Sequence, residues 1–172
     1  MKPASPAPTF PTPGHDHGPC LAEVIERAQA AFDTTGLRLT ELRRRVLEEV
    51  AGSHKAIGAY DVLERLSARG GRRLAPISVY RALDTLVAAG VVHRLESRNA
   101  FFACHAAHAA NRRQIVLACD TCGSVAEVSG ARVFEGITAA ADAVGFRTQQ
   151  ALVEVSGLCK ACDGARPDGA RS

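Results

Sequence analysis

Two Cys-x-x-Cys motifs constrain this chain more than any other feature of its sequence. The first pair is Cys119 and Cys122, the second is Cys159 and Cys162, and together they hold four of the six cysteines. Four thiolates can form a tetrahedral site, which suits Zn²⁺ because this ion has no d-electron geometry preference and accepts soft ligands. Thirty-six residues separate Cys122 from Cys159, more than a compact zinc ribbon usually carries. A bound metal would therefore close a long loop and tie an early strand to the C-terminal end.

The same cysteines could instead form two local disulfides or a redox-active dithiol. No signal peptide precedes them, and thiols in the cytosol stay reduced. The sequence also has no apolar run of membrane-spanning length. We therefore expect a cytoplasmic protein with a structural zinc at the four-cysteine site (Cys119, Cys122, Cys159 and Cys162).

The positive charge is concentrated in the first half of the chain. The net charge is +3, and residues 21–100 hold 13 Lys and Arg against 10 Asp and Glu, whereas residues 101–172 hold 7 of each. The stretch from Arg38 to Arg81 has ten cations and five acids. It is a possible phosphate-facing surface. Because an ordinary solvated face carries similar runs, charge alone does not decide for nucleic acid.

Residues 1–20 are expected to form a disordered tail, since six of the eight prolines lie within residues 1–19. Residues 164–172 have the composition of a second disordered tail. His15, His17 and Cys20 could bind a metal, but a tail supplies no surrounding groups to orient ligands. We therefore expect these three residues to have no fixed role.

Apolar spacing predicts four helices in the first half: residues 21–32, a helix capped by Thr40 and running to about 50, residues 59–68, and one that begins near Pro76 and closes at Gly90. In the second helix the polar residues are expected to point mostly outward: Arg43, Arg44, Arg45, Glu48 and Glu49. In the fourth helix, Tyr80 and Arg81 lie opposite the apolar face.

Two strands follow the fourth helix, over residues 91–95 and 100–103, with a turn at 97–99. Three helices followed by a β-hairpin predict a winged helix-turn-helix, in which the last helix enters the major groove of DNA. An ordinary exposed helix face is the alternative for Tyr80 and Arg81.

The second half predicts strands over residues 114–118, 124–128 and 151–155, and a helix over residues 131–144. Small units of this kind often pair their sheet edges across a dimer. The predicted fold class is α+β, with a winged-helix DNA-binding domain over residues 21–103 and a small dimerisation and zinc-binding domain over residues 104–163.

A second group of metal-binding residue types lies around the junction of these domains. His93 ends the first strand of the hairpin, and Cys104, His105 and His108 follow the second strand. Glu127 lies five residues after Cys122. A single residue of this kind is more often structural, but one thiol and two imidazoles within five residues favour a metal site.

These motifs together resemble the ferric uptake regulator family, and most closely its zinc uptake regulator branch. The resemblance rests on the run Ser78-Val79-Tyr80-Arg81-Ala82-Leu83-Asp84, on Gly90-Val91-Val92-His93 and on the two Cys-x-x-Cys pairs, and it covers about residues 21–163. It implies a homodimeric, metal-dependent bacterial repressor and not an enzyme. The implied partner is operator DNA, with no membrane and no small-molecule substrate.

The resemblance also implies roles for individual residues. The four-cysteine site matches the family's structural zinc, while His93, Cys104 and Glu127 match its regulatory zinc site, giving two zinc ions per chain. A thiolate at Cys104 favours Zn²⁺ over iron. The family usually places a further histidine where this chain has Arg112. We therefore expect His108 to be the remaining ligand, with His105 as the alternative.

Tyr60 and Arg81 match positions that contact DNA in the family, and the guanidinium of Arg81 fits the two acceptors of guanine. Other arginines are expected to contact phosphates: Arg43, Arg44, Arg45, Arg72 and Arg73. The expected function is zinc-dependent repression of zinc uptake genes at palindromic operators. Two alternatives remain open: a related regulator that senses iron, manganese, nickel or peroxide, and a thiol oxidoreductase. The oxidoreductase is disfavoured because no thioredoxin-like βαβ pattern surrounds the cysteines.

Overall fold

The computed structural model describes residue 10 and residues 18–52, 54–70, 74–104 and 114–165. These residues form two compact units, with residues 18–104 in the N-terminal unit and residues 114–165 in the C-terminal unit. Each unit has its own three-stranded sheet. Within the described ranges, none of the helices has both the length and the apolar character required to cross a bilayer.

The N-terminal unit is a helical core bordered by a small sheet. Its elements among the described residues are α1 (Gly18–Thr35), α2 (Glu41–Ala51), β1 (Ile57–Gly58), α3 (Ala59–Gly70), α4 (Pro76–Ala88), β2 (Val92–Leu95) and β3 (Ala100–Ala103). Strand β3 lies between β1 and β2 and is antiparallel to both. A short 3-10 turn, Glu96–Arg98, joins β2 to β3, so the predicted hairpin is confirmed. Strand β1 was not predicted because two residues, one of them glycine, carry no alternating pattern.

Helix α1 begins at Gly18, three residues before the predicted helix and inside the predicted tail. Pro19 is compatible with this start, because the first turn of a helix needs no backbone donor from that residue. The helix ends at Gly36, which has a φ of +67°, and the N–H of Leu37 donates to the carbonyl of Phe32 at 3.1 Å. Cys20 therefore belongs to a helix and not to a tail.

The predicted apolar helix faces meet in one core. The large side chains that are almost fully buried include Val24, Phe32, Val46, Leu47, Val50, Val62, Leu66, Val79, Leu83 and Leu86. Burial of each such side chain contributes roughly 1.5–3 kcal/mol. Glu49 is also buried, although an outward position was expected, and its carboxylate lies 2.7 Å from the guanidinium of Arg69. This ion pair explains how a charged residue is accommodated between α2 and α3.

The end of α4 fixes the direction in which the hairpin begins. Gly90 has a φ of +73°, which a residue without a Cβ adopts without strain. Its N–H donates to the carbonyl of Val87 at 2.9 Å, and the N–H of Val91 donates to that of Leu86 at 3.2 Å. This pair of bonds is a Schellman motif. It connects α4 to β2 through a turn of defined geometry.

The C-terminal unit has a central strand, β4, with one neighbour on each side. Its described elements are β4 (Gln114–Cys119), β5 (Val125–Ser129), α5 (Ala131–Asp142), β6 (Val153–Gly157) and α6 (Lys160–Asp163). Strand β5 is antiparallel to β4, and β6 is parallel to it. The predicted α+β class is confirmed. The four-residue helix α6 was not predicted, because one turn is too short to show a helical period.

Apolar side chains remain exposed on the C-terminal unit. Phe134 is buried, whereas Val133 and Ile137 on the same helix, α5, are exposed. After the helix, Val144 is 80% exposed and Phe146 is 64% exposed. Exposed apolar side chains of this kind are candidates for an interface with another chain.

Candidate metal centres and nucleic-acid interface

The structure brings the four predicted cysteines together. Their Sγ atoms all lie within 4.8 Å of one another. The Sγ atoms of Cys122 and Cys159 are 3.8 Å apart. Zn–S bonds of about 2.3 Å in a tetrahedron place two sulfurs about 3.8 Å apart. The spacing of these thiols therefore fits Zn²⁺ and is too wide for a disulfide.

The sheet of the C-terminal unit explains why two distant pairs meet. The register of β4 and β6 places Cys119 opposite Gly157, and the N–H of Asp120 donates to the carbonyl of Gly157 at 2.8 Å. The backbone makes a tight turn within each Cys-x-x-Cys motif. Gly123, with a φ of +73°, donates its N–H to the carbonyl of Cys119 at 3.0 Å. Because α6 begins just after Cys159, all four sulfurs lie at one end of the sheet.

Local hydrogen bonds prepare some of these thiols for metal binding. The backbone N–H groups of Cys122 and Cys159 lower the pKa of Cys119 to about 6, and the second of them donates to its Sγ at 3.4 Å. The hydrogen bond between Cys122 Sγ and Ser124 Oγ, 3.2 Å long, lowers the pKa of Cys122. Hydrogen bonding to Cys159, together with burial, raises the pKa of Cys162 to about 12. Four thiolates so close together require a cation to offset their repulsion.

His93 and Cys104 form a second potential ligand pair, here called the sensor pair. A ring nitrogen of His93 and the sulfur of Cys104 lie within 4.8 Å of each other. His93 on β2 is opposite Phe102 on β3, and Cys104 lies two residues beyond Phe102. Alternation along the strand therefore places the imidazole and the thiol on one face of the sheet. This arrangement could bind one metal ion through nitrogen and sulfur.

Cys104 belongs to the N-terminal unit, one residue past the boundary predicted for that domain. Its N–H donates to the carbonyl of Val91 at 3.1 Å, which extends the pairing of β2 with β3 by one residue. Its side chain is buried, whereas His93 is half-buried with its ring 5.5 Å from that of Phe102.

Of the other predicted metal ligands, only Glu127 lies within the residues that the structure describes. Glu127 is half-buried on β5 of the C-terminal unit, opposite Val116 on β4. Four residues lie outside the described ranges: His15, His17, His105 and His108. The choice between His108 and His105 therefore stays a prediction.

One contact of the sensor pair was missed by sequence reasoning. Nη2 of Arg27, on α1, donates to the carbonyl of Cys104 at 2.5 Å in a part-buried position. The two residues are 77 positions apart in the chain. No local pattern links residues at such a distance, so a single sequence contains no signal for this bond.

The predicted DNA-reading residues lie at the start of α3 and on α4. Tyr60 is 70% exposed at the second position of α3, and its ring meets that of half-buried Tyr80 edge to face, with centroids 6.1 Å apart. Arg81, next on α4, is exposed. The aromatic pair links the two helices of the helix-turn-helix and leaves one hydroxyl-bearing ring accessible.

Two of the arginines predicted to bind phosphate have partners inside the N-terminal unit. Arg43 donates to the carbonyl of Arg38 at 2.5 Å, and its guanidinium lies 5.8 Å from the ring centroid of Phe32. Arg45 donates to the carbonyl of Leu66 at 3.3 Å. These contacts give both residues a packing role that the charge pattern did not predict. Arg44 is half-buried, and Arg72 and Arg73 lie outside the described residues.

Comparisons with known proteins agree with this architecture. The model of the ferric uptake regulator family matches residues 34–156. The chain is similar to the zinc uptake regulation protein of Escherichia coli (strain K12), with 34% identity over 140 residues and 81% of each chain covered. A solved zinc uptake regulator complexed with zinc and DNA superposes with a TM-score of 0.77 at 33% identity, covering 84% of this chain and 95% of that one. The crystal structure of holo XcZur gives a TM-score of 0.74 at 40% identity, with coverage of 84% and 99%. The chain belongs to the ferric uptake regulator family.

Proposed function

We propose that this protein is a zinc-responsive transcriptional repressor whose zinc-loaded homodimer binds palindromic operators of zinc uptake genes. The observation that carries the proposal is the sensor pair, since its nitrogen ligand lies on β2 and its sulfur ligand directly after β3, the two strands that follow α4. The relatives described above, a zinc uptake regulation protein and a regulator complexed with zinc and DNA, support the same function. We assign it to the cytoplasm and to regulators, not to enzymes.

Two zinc sites per chain belong to the proposal. The four-cysteine site would hold the structural ion and keep β4 and β6 joined at one end. His93, Cys104, His108 and Glu127 would hold the regulatory ion, with His105 as the alternative to His108. When bound, that ion supplies a cross-link among ligands of both units, with the borderline-soft preference for nitrogen and sulfur that distinguishes zinc.

The fold offers a direct route from the sensor pair to the DNA-reading helix. His93 lies on β2, and β2 is connected to α4 by the Schellman turn at Gly90. A restraint on the end of the hairpin therefore restrains α4 as well. Without it, the DNA-binding domains sample more arrangements, and fewer of these fit two half-sites at once.

The proposed DNA contacts use the exposed side of α3 and α4. Arg81 would read guanine through its two parallel N–H donors, and Tyr60 and Tyr80 would contact the adjoining bases or backbone. Arg44, Arg72 and Arg73 would contact phosphates. Arg43 and Arg45 each donate one guanidinium N–H to a carbonyl group of the protein. The remaining N–H groups of each guanidinium would contact DNA phosphates.

The exposed apolar side chains of the C-terminal unit support the homodimer. Val133 and Ile137 lie one helical turn apart on α5, and both edges of the sheet are open among the described strands. A second copy would cover apolar surface that a monomer leaves in contact with water.

The experiment that tests the function is operator binding measured across a range of buffered free zinc. Wild-type protein should bind DNA from its own upstream region only as zinc rises. Cys104→Ala and His93→Ala should need far more zinc while keeping the structural ion, and Cys20→Ala serves as the matched cysteine control. If both sensor variants responded to zinc like the wild type, the regulatory assignment would be wrong.

The same assay separates the related regulators. If iron, manganese or nickel promoted operator binding at a lower free concentration than zinc, the protein would be a related regulator that senses that metal. Elemental analysis separates the thiol oxidoreductase, which would be purified without bound metal.

A further inference from the structure

Ile77 is an exposed aliphatic residue on the helix that the proposed function assigns to the major groove. It is the second residue of α4 and its side chain is 57% exposed. The apolar residues that pack α4 into the core are Val79, Ala82, Leu83 and Leu86, on the other side of the helix. Packing of α4 into the core therefore does not require an isoleucine at this position.

Ile77 shares its face with the residue proposed to read guanine. Arg81 lies four positions after Ile77, so the two side chains lie within about 40° of each other around the helix axis. Arg81 is exposed as well. In helix-turn-helix proteins the N-terminal residues of the second helix contact the edges of bases. Ile77, in the first turn of α4, occupies that position.

The chemistry of the groove indicates what an aliphatic side chain would contact there. Each base edge in the major groove presents donors or acceptors, and thymine alone adds a methyl group. The side chain of isoleucine has no polar atom and gains nothing from the other edges. Apolar contact with the thymine methyl is the interaction that suits it.

We propose that Ile77 is a specificity-determining residue that selects a thymine in each operator half-site by contact with its 5-methyl group. The inference rests on the proposed function and adds a base preference to it. Four residues of helix rise about 6 Å, and base pairs are stacked at about 3.4 Å. The selected thymine should therefore lie within about two base pairs of the guanine read by Arg81.

The test replaces thymine with deoxyuridine, which removes the methyl group and leaves the base pairing unchanged. Zinc-loaded full-length protein first selects its site from random duplex DNA. Each thymine of the selected half-site is then replaced singly, and the dissociation constant is measured for wild type and Ile77→Ala. Wild type should bind about fourfold more weakly for each replaced thymine that Ile77 contacts, the effect of losing contact with one methyl group. Ile77→Ala should bind the thymine duplex and the deoxyuridine duplex with equal affinity.

Leu37→Ala is the matched control, because Leu37 is an exposed aliphatic residue of the same unit, 45% exposed, in the loop between α1 and α2 and not on α4. It should keep the wild-type response to deoxyuridine. Arg81→Ala identifies the guanine, since specificity should relax at that base pair. A melting curve for Ile77→Ala should match the wild type, as expected for a change at an exposed position.

Two results would overturn the inference: wild type that binds every deoxyuridine duplex normally, or Ile77→Ala that retains the wild-type sensitivity. Failure of the zinc-loaded wild type to select any DNA would overturn the proposed function itself. The two failures are therefore distinguishable.

Discussion

Replacing Arg27 with alanine should weaken the response to zinc without removing a metal ligand. The guanidinium of Arg27 donates to the carbonyl of Cys104, so α1 holds the backbone of the sensor cysteine in place. Arg27→Ala removes that donor. The carbonyl of Cys104 then forms a hydrogen bond with water instead. The backbone of Cys104 gains conformational freedom, which metal binding would have to remove.

The expected size follows from the geometry of this bond. A hydrogen bond with a charged donor contributes about 1.5–3 kcal/mol when it is well buried, and fixing the backbone of one residue costs about 1–2 kcal/mol. The bond is part-buried, so solvent competes for it and the lower range applies. A loss of about 1–2 kcal/mol corresponds to a roughly 5–30-fold increase in the free zinc needed for half-maximal operator binding.

The assay is fluorescence anisotropy of labelled operator at a series of chelator-buffered zinc concentrations. Arg27→Lys keeps one donor and should fall between wild type and Arg27→Ala. Glu26→Ala, an exposed position on the same helix, is the control and should leave the midpoint unchanged. Elemental analysis should find the structural zinc in all variants. A midpoint for Arg27→Ala within twofold of the wild type would refute the idea that this bond positions Cys104.

Four further predictions concern the rest of the chain. Cys162→Ser should lower the zinc content by one ion per chain and unfold the C-terminal unit, as measured by elemental analysis and circular dichroism. Because the pKa of Cys162 lies near 12 without metal, zinc binding must release its proton, and chelator competition should show that affinity for structural zinc falls as the pH is lowered. Phe32→Ala, at a fully buried site, should cost about 3–5 kcal/mol in urea unfolding. Ile137→Glu should produce monomers in analytical ultracentrifugation, whereas Arg132→Glu, also exposed on α5, should remain dimeric. A zinc content, zinc affinity, unfolding free energy or oligomeric state equal to that of the wild type would contradict the role given to the residue concerned.

The features that depend on neighbouring residues could be predicted from the sequence. The four helices of the N-terminal unit are visible because apolar residues recur at helical spacing, and the hairpin is visible because a short polar turn separates two apolar runs. The four-cysteine site was predictable because Cys-x-x-Cys is itself a ligand arrangement. None of these inferences needs knowledge of which distant residues meet.

The features that depend on distant partners, or on very short helices and strands, could not be predicted from the sequence. Glu49 was expected outside, but a cation one helix away, Arg69, makes its burial possible. Arg43 and Arg45 donate to the carbonyl groups of Arg38, in the loop before α2, and of Leu66, inside α3, and a charge pattern contains no information about either contact. The bond between Arg27 and Cys104 joins α1 to the residue that follows β3, 77 positions later in the chain. Tertiary structure determines all three, and periodicity cannot reveal it.

The parallel pairing of β4 with β6 has a consequence for synthesis on the ribosome. Strand β4 and its two cysteines emerge first, and their partners follow forty positions later, from Cys122 to Cys162. At about 5–20 residues per second, the nascent chain waits roughly 2–8 s with one edge of β4 unpaired. During that interval a half-built thiolate site is exposed to the cell. The four-cysteine site can therefore be completed only after Cys162 has been synthesised, so any metal that all four thiols bind is acquired at the end of translation.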